Sequence, residues 1–324
     1  MKKISVVLPC YNEEDNIYEI YEAVKAVLQK ECSAYDYEML FIDNKSEDTT
    51  WSIIKSICER DKKARAILNA RNFGYLRSPF HALRQTTGDA VILMSTDFQD
   101  PPDLIPEFVH KWEEGNKIVC GIKTSSKENG LIYFLRSCYY KLISSMSTVE
   151  QIKQFTGFGL YDKSFIKVLA DLHDPMPYMR GIVAELGFRR CEVPFSQPQR
   201  KAGKSSSRFI GLYDVAMLGF TTYTKGLLRI ATFGGVFVSG ISLLIGIIMV
   251  ILKLVGVWAN LGYAALMTAL FFIGGVQLTF IGLLGEYVMA TNTRVLNRPL
   301  VVEECRLNFE TEVDEKAEKE LTTV

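Results

Sequence analysis

The sequence predicts an α/β fold, a mostly parallel sheet with helices on both faces, followed by two membrane-spanning helices. Three observations predict it. Short apolar runs bounded by turn residues alternate with helical periodicity from residue 3 to about residue 125. Polar or acidic clusters stand where these runs stop. Two long segments, Ile230–Leu252 and Tyr263–Gly285, carry no charged residue.

Ile4-Ser5-Val6-Val7-Leu8 reads as the first strand. Pro9-Cys10-Tyr11-Asn12 turns into a helix that is expected to start at Asn12, with Glu13, Glu14 and Asp15 at the positive end of its dipole. Ile17, Ile20, Tyr21, Val24, Val27 and Leu28 fall on one face at period 3.6. Met39-Leu40-Phe41-Ile42 is the second strand, ending at Asp43. Trp51, Ile54, Ile57 and Cys58 mark the second helix. Ala66-Ile67-Leu68 and Ala90–Met94 are the third and fourth strands. Asp103 opens a helix with Leu104, Ile105, Phe108, Val109 and Trp112 inward, and Ile118-Val119-Cys120 follows as a strand. Such β-α-β-α alternation implies parallel pairing with crossover helices.

Residues 130–200 are less regular. Tyr133, Leu135, Tyr139, Tyr140, Leu142 and Ile143 suggest one amphipathic helix, and Gln197–Ser207 is a polar, basic loop. Phe209–Phe220 fits either an interfacial helix or an ordinary packed one. Both uncharged segments have the roughly 20 apolar residues that a spanning helix needs. Lys225 and Arg229 precede the first and Arg294 and Arg298 follow the second, which places both flanks in the cytosol and the 253–262 turn outside. The expected organisation is a cytosolic domain over 1–207, an interfacial segment over 208–228, two spans within 229–289 and a charged cytosolic tail over 290–324, disordered after Glu303.

The 324 residues balance 37 basic against 37 acidic side chains, so global charge offers no argument for nucleic acid as a partner. The seven cysteines (Cys10, Cys32, Cys58, Cys120, Cys138, Cys191 and Cys305) are scattered, with no C-x-x-C pair. That disfavours a disulfide framework or zinc site and suits a reducing cytosol. No apolar stretch of signal-peptide length precedes Ile4, so the first half is expected to stay in the cytosol. Neither a G-x-G-x-x-G nor a P-loop motif occurs.

Four clusters end four strands: Pro9-Cys10-Tyr11-Asn12-Glu13-Glu14, Phe41-Ile42-Asp43-Asn44-Lys45-Ser46, Arg71-Asn72-Phe73-Gly74 and Thr96-Asp97-Phe98-Gln99-Asp100. Each alone is ordinary cap or turn chemistry. Together they line the carboxyl edge of one parallel sheet, where open α/β sheets bind ligands. A carboxylate and an amide, Asp97 and Gln99, can hold a hard divalent cation and, through it, phosphates. Joined to a membrane anchor, such a site suggests chemistry between a soluble nucleotide donor and a lipid.

These clusters, with Arg180-Gly181, the Arg200–Ser205 loop and Gly274-Gly275-Val276-Gln277…Gly285-Glu286-Tyr287, resemble the glycosyltransferase family 2 enzymes of the GT-A fold. The resemblance, from Ile4 to about Val302, is specifically to the polyprenyl-phosphate glycosyltransferases, which include dolichyl-phosphate mannose synthases and bactoprenol glucosyltransferases. It implies a membrane-bound inverting transferase that moves one sugar from a nucleotide diphosphate sugar to a polyprenyl (undecaprenyl-type) phosphate on the cytoplasmic leaflet. It implies Mg2+ or Mn2+ at Asp97 and Gln99, the catalytic pair. The nucleotide would be bound by Pro9, Tyr11, Asn12, Glu13, Asp43, Asn44 and Asp97, and the acceptor phosphate by Arg180, Arg200, Lys201, Lys204 and Ser205. The expected location is the inner (plasma) membrane, multi-pass. Gly274 and Gly275 permit close helix approach, so a homo-oligomer is expected.

Three motifs depart from the family pattern. Ser95 stands where Asp-x-Asp-x-Gln has its first acid, Asn44 replaces the second of an Asp-Asp pair, and Thr156-Gly157-Phe158-Gly159 replaces Gly-Asp-Phe-Arg. The Q-x-x-R-W signature of processive polysaccharide synthases is absent, which favours single transfer. The competing readings are a membrane-anchored nucleotide-sugar-binding scaffold and a transferase acting on a glycan or protein.

Overall fold

Alternating side chains place β1 (Lys3–Cys10) between two helix layers. Ile4, Val6, Leu8 and Cys10 enter one apolar cluster, and Val7 enters the other. The computed structural model describes residues 1–125, 152–198, 263–296 and 298–309, with isolated positions between 217 and 255. After β1 come α1 (Ile17–Glu31), β2 (Asp36–Asp43), α2 (Thr50–Arg60), β3 (Ala64–Asn69), α3 (Arg77–Leu83) and β4 (Ala90–Leu93). A single 3-10 turn, Pro102–Leu104, leads into α4 (Ile105–Glu113) and β5 (Ile118–Ser125). Then follow β6 (Phe155–Asp162), α5 (Lys163–Asp171), α6 (Met179–Glu185), β7 (Arg190–Ser196), α7 (Tyr263–Val295) and β8 (Glu303–Leu307).

The chain divides into two compact units. One comprises residues 1–134, 151–207 and 297–324, the other 135–150 and 208–296. In the first, eight strands form one sheet in the order β7-β5-β6-β4-β1-β2-β3-β8. β4, β1, β2 and β3 run parallel, as expected, but β6 is antiparallel to both β4 and β5, and β8 is antiparallel to β3. The sheet is therefore mixed, with six of its eight strands running one way and β6 and β8 the other. α1, α2 and α4 cover one face, and α3, α5 and α6 cover the other.

Helix α1 buries Ile17, Ile20, Tyr21, Val24, Val27 and Leu28, the predicted face residue for residue. It does not start at Asn12. That residue has φ +55°, in the left-handed region no helix residue occupies, and the helix begins at Ile17 with Asn16 as its N-cap. The tail is corrected as well. Glu303–Leu307 is an edge strand, and Asn308 fastens its end by donating from Nδ2 to the carbonyls of Cys58 and Ala64, both at 2.7 Å.

In the second unit, α7 is 33 residues long. Its stretch Phe272–Val295, 24 residues of mean hydropathy 1.4, is long and apolar enough to cross a membrane. Leu270, Phe272, Leu278 and Ile281 are exposed along it. The helix runs ten residues past the predicted end at Gly285, taking in Glu286 and Arg294; Arg294 donates to Thr222 Oγ1 at 2.9 Å. Of the other apolar segment, Ile230–Leu252, only scattered positions are described, so the structure establishes one such helix and not the expected two. The helix predicted over Tyr133–Ile143 and most of the Phe209–Phe220 segment lie outside the described residues.

Candidate active site

The register puts four carboxyl ends on one edge of the sheet. Val7 of β1 pairs with Leu93 of β4, Cys10 with Asp43 of β2, and Asp43 with Leu68 of β3. Through β6, β5 runs in the same direction as β4, so its Lys123 end joins this edge, beside the Phe155-Thr156-Gly157 start of β6. β7 is parallel to β5 and leaves the sheet at Ser196 on the same edge.

Asp43 is fully buried. Its Oδ1 accepts from the Ser46 backbone N–H at 2.9 Å and from Ser46 Oγ at 2.6 Å. Its Oδ2 has no hydrogen-bond partner. Burial pushes its pKa above the usual carboxylate value, against the lowering effect of the Ser46 bonds. A buried acceptor with a free lone pair is costly unless something donates to it.

The β1 and β2 ends are laced together. The Asn12 N–H donates to Ser46 Oγ at 2.9 Å, and Asn12 Oδ1 accepts from the Glu47 N–H at 2.8 Å. The Glu13 N–H donates to Thr50 Oγ1 at 2.9 Å, while its carboxylate accepts from Asn16 Nδ2 at 2.7 Å. Pro9 and Tyr11 are half-buried beside this lacing. Asn12 and Glu13 are thus structural partners of the turn that carries Asp43.

The β4 loop closes on β1. Thr96 Oγ1 donates to the Pro9 carbonyl at 3.2 Å. Asp97 is 9% exposed, and its Oδ1 accepts from the Gln99 N–H at 3.1 Å. Asp100, also buried, accepts from the Ser95 N–H at 2.8 Å. Between them Phe98 has φ +61°, a left-handed conformation that costs a bulky residue about 1–3 kcal/mol. Asn12 (+55°), Lys45 (+65°) and Gln154 (+57°), just before β6, share that conformation, so four of the five described non-glycine residues with positive φ sit on this edge. Strained backbone held in place by its surroundings is typical of functional loops.

Among the described residues, no group of three or more His, Cys, Asp or Glu could hold a metal. In the loop after β4, Asp97 and the half-buried amide of Gln99 are the expected donor pair. That set fits a Mg2+-like ion, which takes one or two protein ligands and completes its shell with water and substrate phosphate.

Lys123 is a residue that the sequence reading passed over. Its charge acts on Asp100, where it opposes the raising effect of burial. Only the strand order brings residues 97–100 and 123 together, and a single Lys in an apolar strand gives no local signal. Arg180 is half-buried in the first turn of α6, a helix packed on β6. Arg200, Lys201, Lys204 and Ser205 lie outside the described residues.

Two departures from the family pattern are built into the backbone. Gly157 has φ +104°, which L side chains rarely adopt. At Gly159 an added Cβ would stand 2.3 Å from the Val119 carbonyl oxygen of β5, so no side chain fits without moving the strand. An acid at 157 or an Arg at 159 requires a different β6.

A model of the glycosyl transferase family 2 matches residues 5–185. The SfII prophage-derived bactoprenol glucosyl transferase of Shigella flexneri is 34% identical over 298 residues, 92% of this chain and 96% of that protein. The prophage bactoprenol glucosyl transferase homolog of Escherichia coli (strain K12) is 30% identical, over 92% and 97% of the two chains. The solved structure of mannosyl-3-phosphoglycerate synthase from Rubrobacter xylanophilus is 18% identical, with a TM-score of 0.49 over 72% of this chain and 75% of that one. By the family match over more than half its length, and by relatives that match it nearly end to end, the chain belongs to glycosyl transferase family 2 and is a glycosyltransferase.

Proposed function

We propose that the protein moves a single sugar from a nucleotide diphosphate sugar to polyprenyl phosphate on the cytoplasmic leaflet of the plasma membrane. One observation carries this reading. The likeness to bactoprenol glucosyl transferases extends over 92% of the chain, through the apolar C-terminal half and not merely over the nucleotide-binding part. Asp43 takes the base or ribose through its unpartnered Oδ2. Asp97 and Gln99 would hold Mg2+ or Mn2+. When bound, the ion supplies positive charge against the departing diphosphate. A phosphate oxygen of the acceptor attacks the anomeric carbon, the bond from that carbon to the diphosphate oxygen breaks, and the nucleoside diphosphate leaves with inversion. The acceptor phosphate is already ionised at neutral pH, so the reaction needs little help from a base, and Gly157 does not disable it.

In this reading α7 is one of two spans, the sheet domain is cytosolic, and Gly274-Gly275 offers bare backbone for pairing with a second copy. The Arg200–Ser205 loop, which follows β7 from the active edge, clamps the acceptor phosphate together with Arg180.

Membranes containing the protein, supplied with polyprenyl phosphate and labelled UDP- or GDP-sugars, are expected to yield a labelled, acid-labile lipid. Label found only in protein or glycan, or no transfer from any donor, would overturn the reading. Asp43→Ala is expected to weaken nucleoside diphosphate binding by about tenfold or more, the scale of losing a buried hydrogen bond to a charged acceptor. Calorimetry with the nucleotide that the wild type uses checks it, and unchanged affinity would remove Asp43 from the site.

A further inference from the structure

We propose that Asn44 is a positioning residue rather than a nucleotide ligand: its amide holds the Arg71–Gly74 loop in the shape that donor binding requires. The inference rests on the reading that places the donor nucleotide at these strand ends. Asn44 is 6% exposed, and its side chain is engaged within the protein. Oδ1 accepts from the Phe73 N–H at 2.9 Å and from Asn69 Nδ2 at 3.0 Å. Nδ2 donates to Asn72 Oδ1 at 2.8 Å. Asn72 Oδ1 accepts a second hydrogen bond, from the Gly74 N–H at 2.8 Å, and Gly74 at φ +87° lets the chain turn back to make it. Below this layer Asn69, fully buried, also donates to Ser78 Oγ at 3.0 Å, tying the network to α3.

The consequence reaches the exposed end of the loop. The Arg71 guanidinium lies 4.1 Å over the Phe73 ring, and its NH1 donates to the Asn72 carbonyl at 3.0 Å. Both groups that seat Arg71 are therefore placed by Asn44, one through the Phe73 amide and one through the Asn72 side chain. Adjacent residues divide the work: Asp43 keeps one oxygen without a protein partner, while Asn44 turns its amide to the loop.

The network also explains why this position is an amide and not an acid. A carboxylate at 44 would still accept from Phe73 N–H and Asn69 Nδ2, but it would set an acceptor against Asn72 Oδ1. Asn72 could turn its own amide to donate, but the Gly74 N–H would then lose its acceptor. One of the two bonds must go, and the loop loosens.

The test uses the full-length protein in detergent, with Asn44→Asp and Asn72→Ala. Asn72 is exposed, so its truncation removes the same hydrogen bond without burdening the fold. Both variants are expected to raise the donor KM and the Kd for the bound nucleoside diphosphate (UDP, GDP or dTDP, whichever the wild type takes) by about tenfold, with kcat within about threefold. Amide exchange at Phe73 and Gly74 should quicken in both. The double variant should bind donor no worse than the weaker single one, because both act through one bond. A merely structural role would lower the melting temperature and the active fraction and leave KM alone; that result, or additive losses in the double variant, overturns the proposal. Wild-type protein that transfers sugar but binds none of these nucleotides at the Asp43 edge would overturn the underlying site assignment and this inference with it.

Discussion

Asp97→Asn is expected to lower sugar transfer by about 10²-fold, the scale of removing one strong stabiliser of charge in a transition state. The substitution is chosen to spare the fold. Asp97 Oδ1 accepts from the Gln99 N–H, and an asparagine carbonyl oxygen can accept that hydrogen bond equally well. Thr96 still reaches the Pro9 carbonyl, and Asp100 still holds the Ser95 N–H, so the loop keeps its path. What is lost is the negative charge at a buried position. In the proposed reading Asp97 and Gln99 are the cation ligands at this strand end, and Ser95 brings none of the charge the family usually places there. On that reading the remaining carboxylate carries the cation's affinity. Transfer rates over a range of Mg2+ and Mn2+ concentrations check the expectation, together with metal-dependent nucleotide binding. Turnover near the wild-type rate at saturating metal would remove Asp97 from its assigned role.

The parts of this architecture that were legible in the sequence are those that local chemistry dictates. The α1 face is a period-3.6 pattern long enough to read, and all six of its predicted residues are buried. The β1, β2 and β4 runs end within three residues of where they were expected, because each apolar run gives way to a cluster of turn and polar residues. The illegible parts depend on long-range pairing. α3 is seven residues with a proline in its first turn, too short to show a period. β6 contains Gly157 and Gly159, which weaken any strand signal, yet Gly159 is required by its closeness to β5. β8 reads as charged tail because an edge strand can carry Glu304 and Arg306 toward solvent. Its partners are at β3, far back in the chain, and Glu304 meets Lys45 beside the candidate site. Lys123 and the Asn44 network share that character: their chemistry is ordinary until the sheet order sets them next to Asp100 and Asn72.

The largest effect on stability is expected at the opposite edge of the sheet, at Glu38. This side chain, on β2, is 1% exposed. Oε1 accepts from Ser5 Oγ at 2.6 Å and from the Thr87 N–H at 2.7 Å. Oε2 accepts from Thr87 Oγ1 at 2.9 Å, from Arg65 at 2.8 Å and from Lys3 at 2.9 Å. β1, β2, β3 and the turn before β4 thus converge on one carboxylate. Burial alone would raise its pKa, but the bonds from Ser5, Thr87, Lys3 and Arg65 outweigh it and hold the group at about 2, below its ordinary 4.5. A depressed folded pKa means that the stabilisation is complete above the unfolded value and is lost as pH falls through the folded one. The window is therefore about pH 4.5 down to about 2. Glu38→Gln keeps the shape but leaves Arg65 and Lys3 facing a neutral amide, and it points a donor at groups that themselves donate. Breaking one partner of a buried ion pair costs about 3–5 kcal/mol. Chemical denaturation of the full-length protein at pH 7 should show a loss of that order. Between pH 4.5 and 2 the gap between wild type and variant should narrow, because only the wild type still has this carboxylate to protonate. Nucleotide affinity per folded molecule should be retained, since the network lies at the amino ends of the strands. A variant as stable as wild type at pH 7, or a gap that stays constant with pH, would show that the carboxylate contributes no charge-dependent stability to the fold.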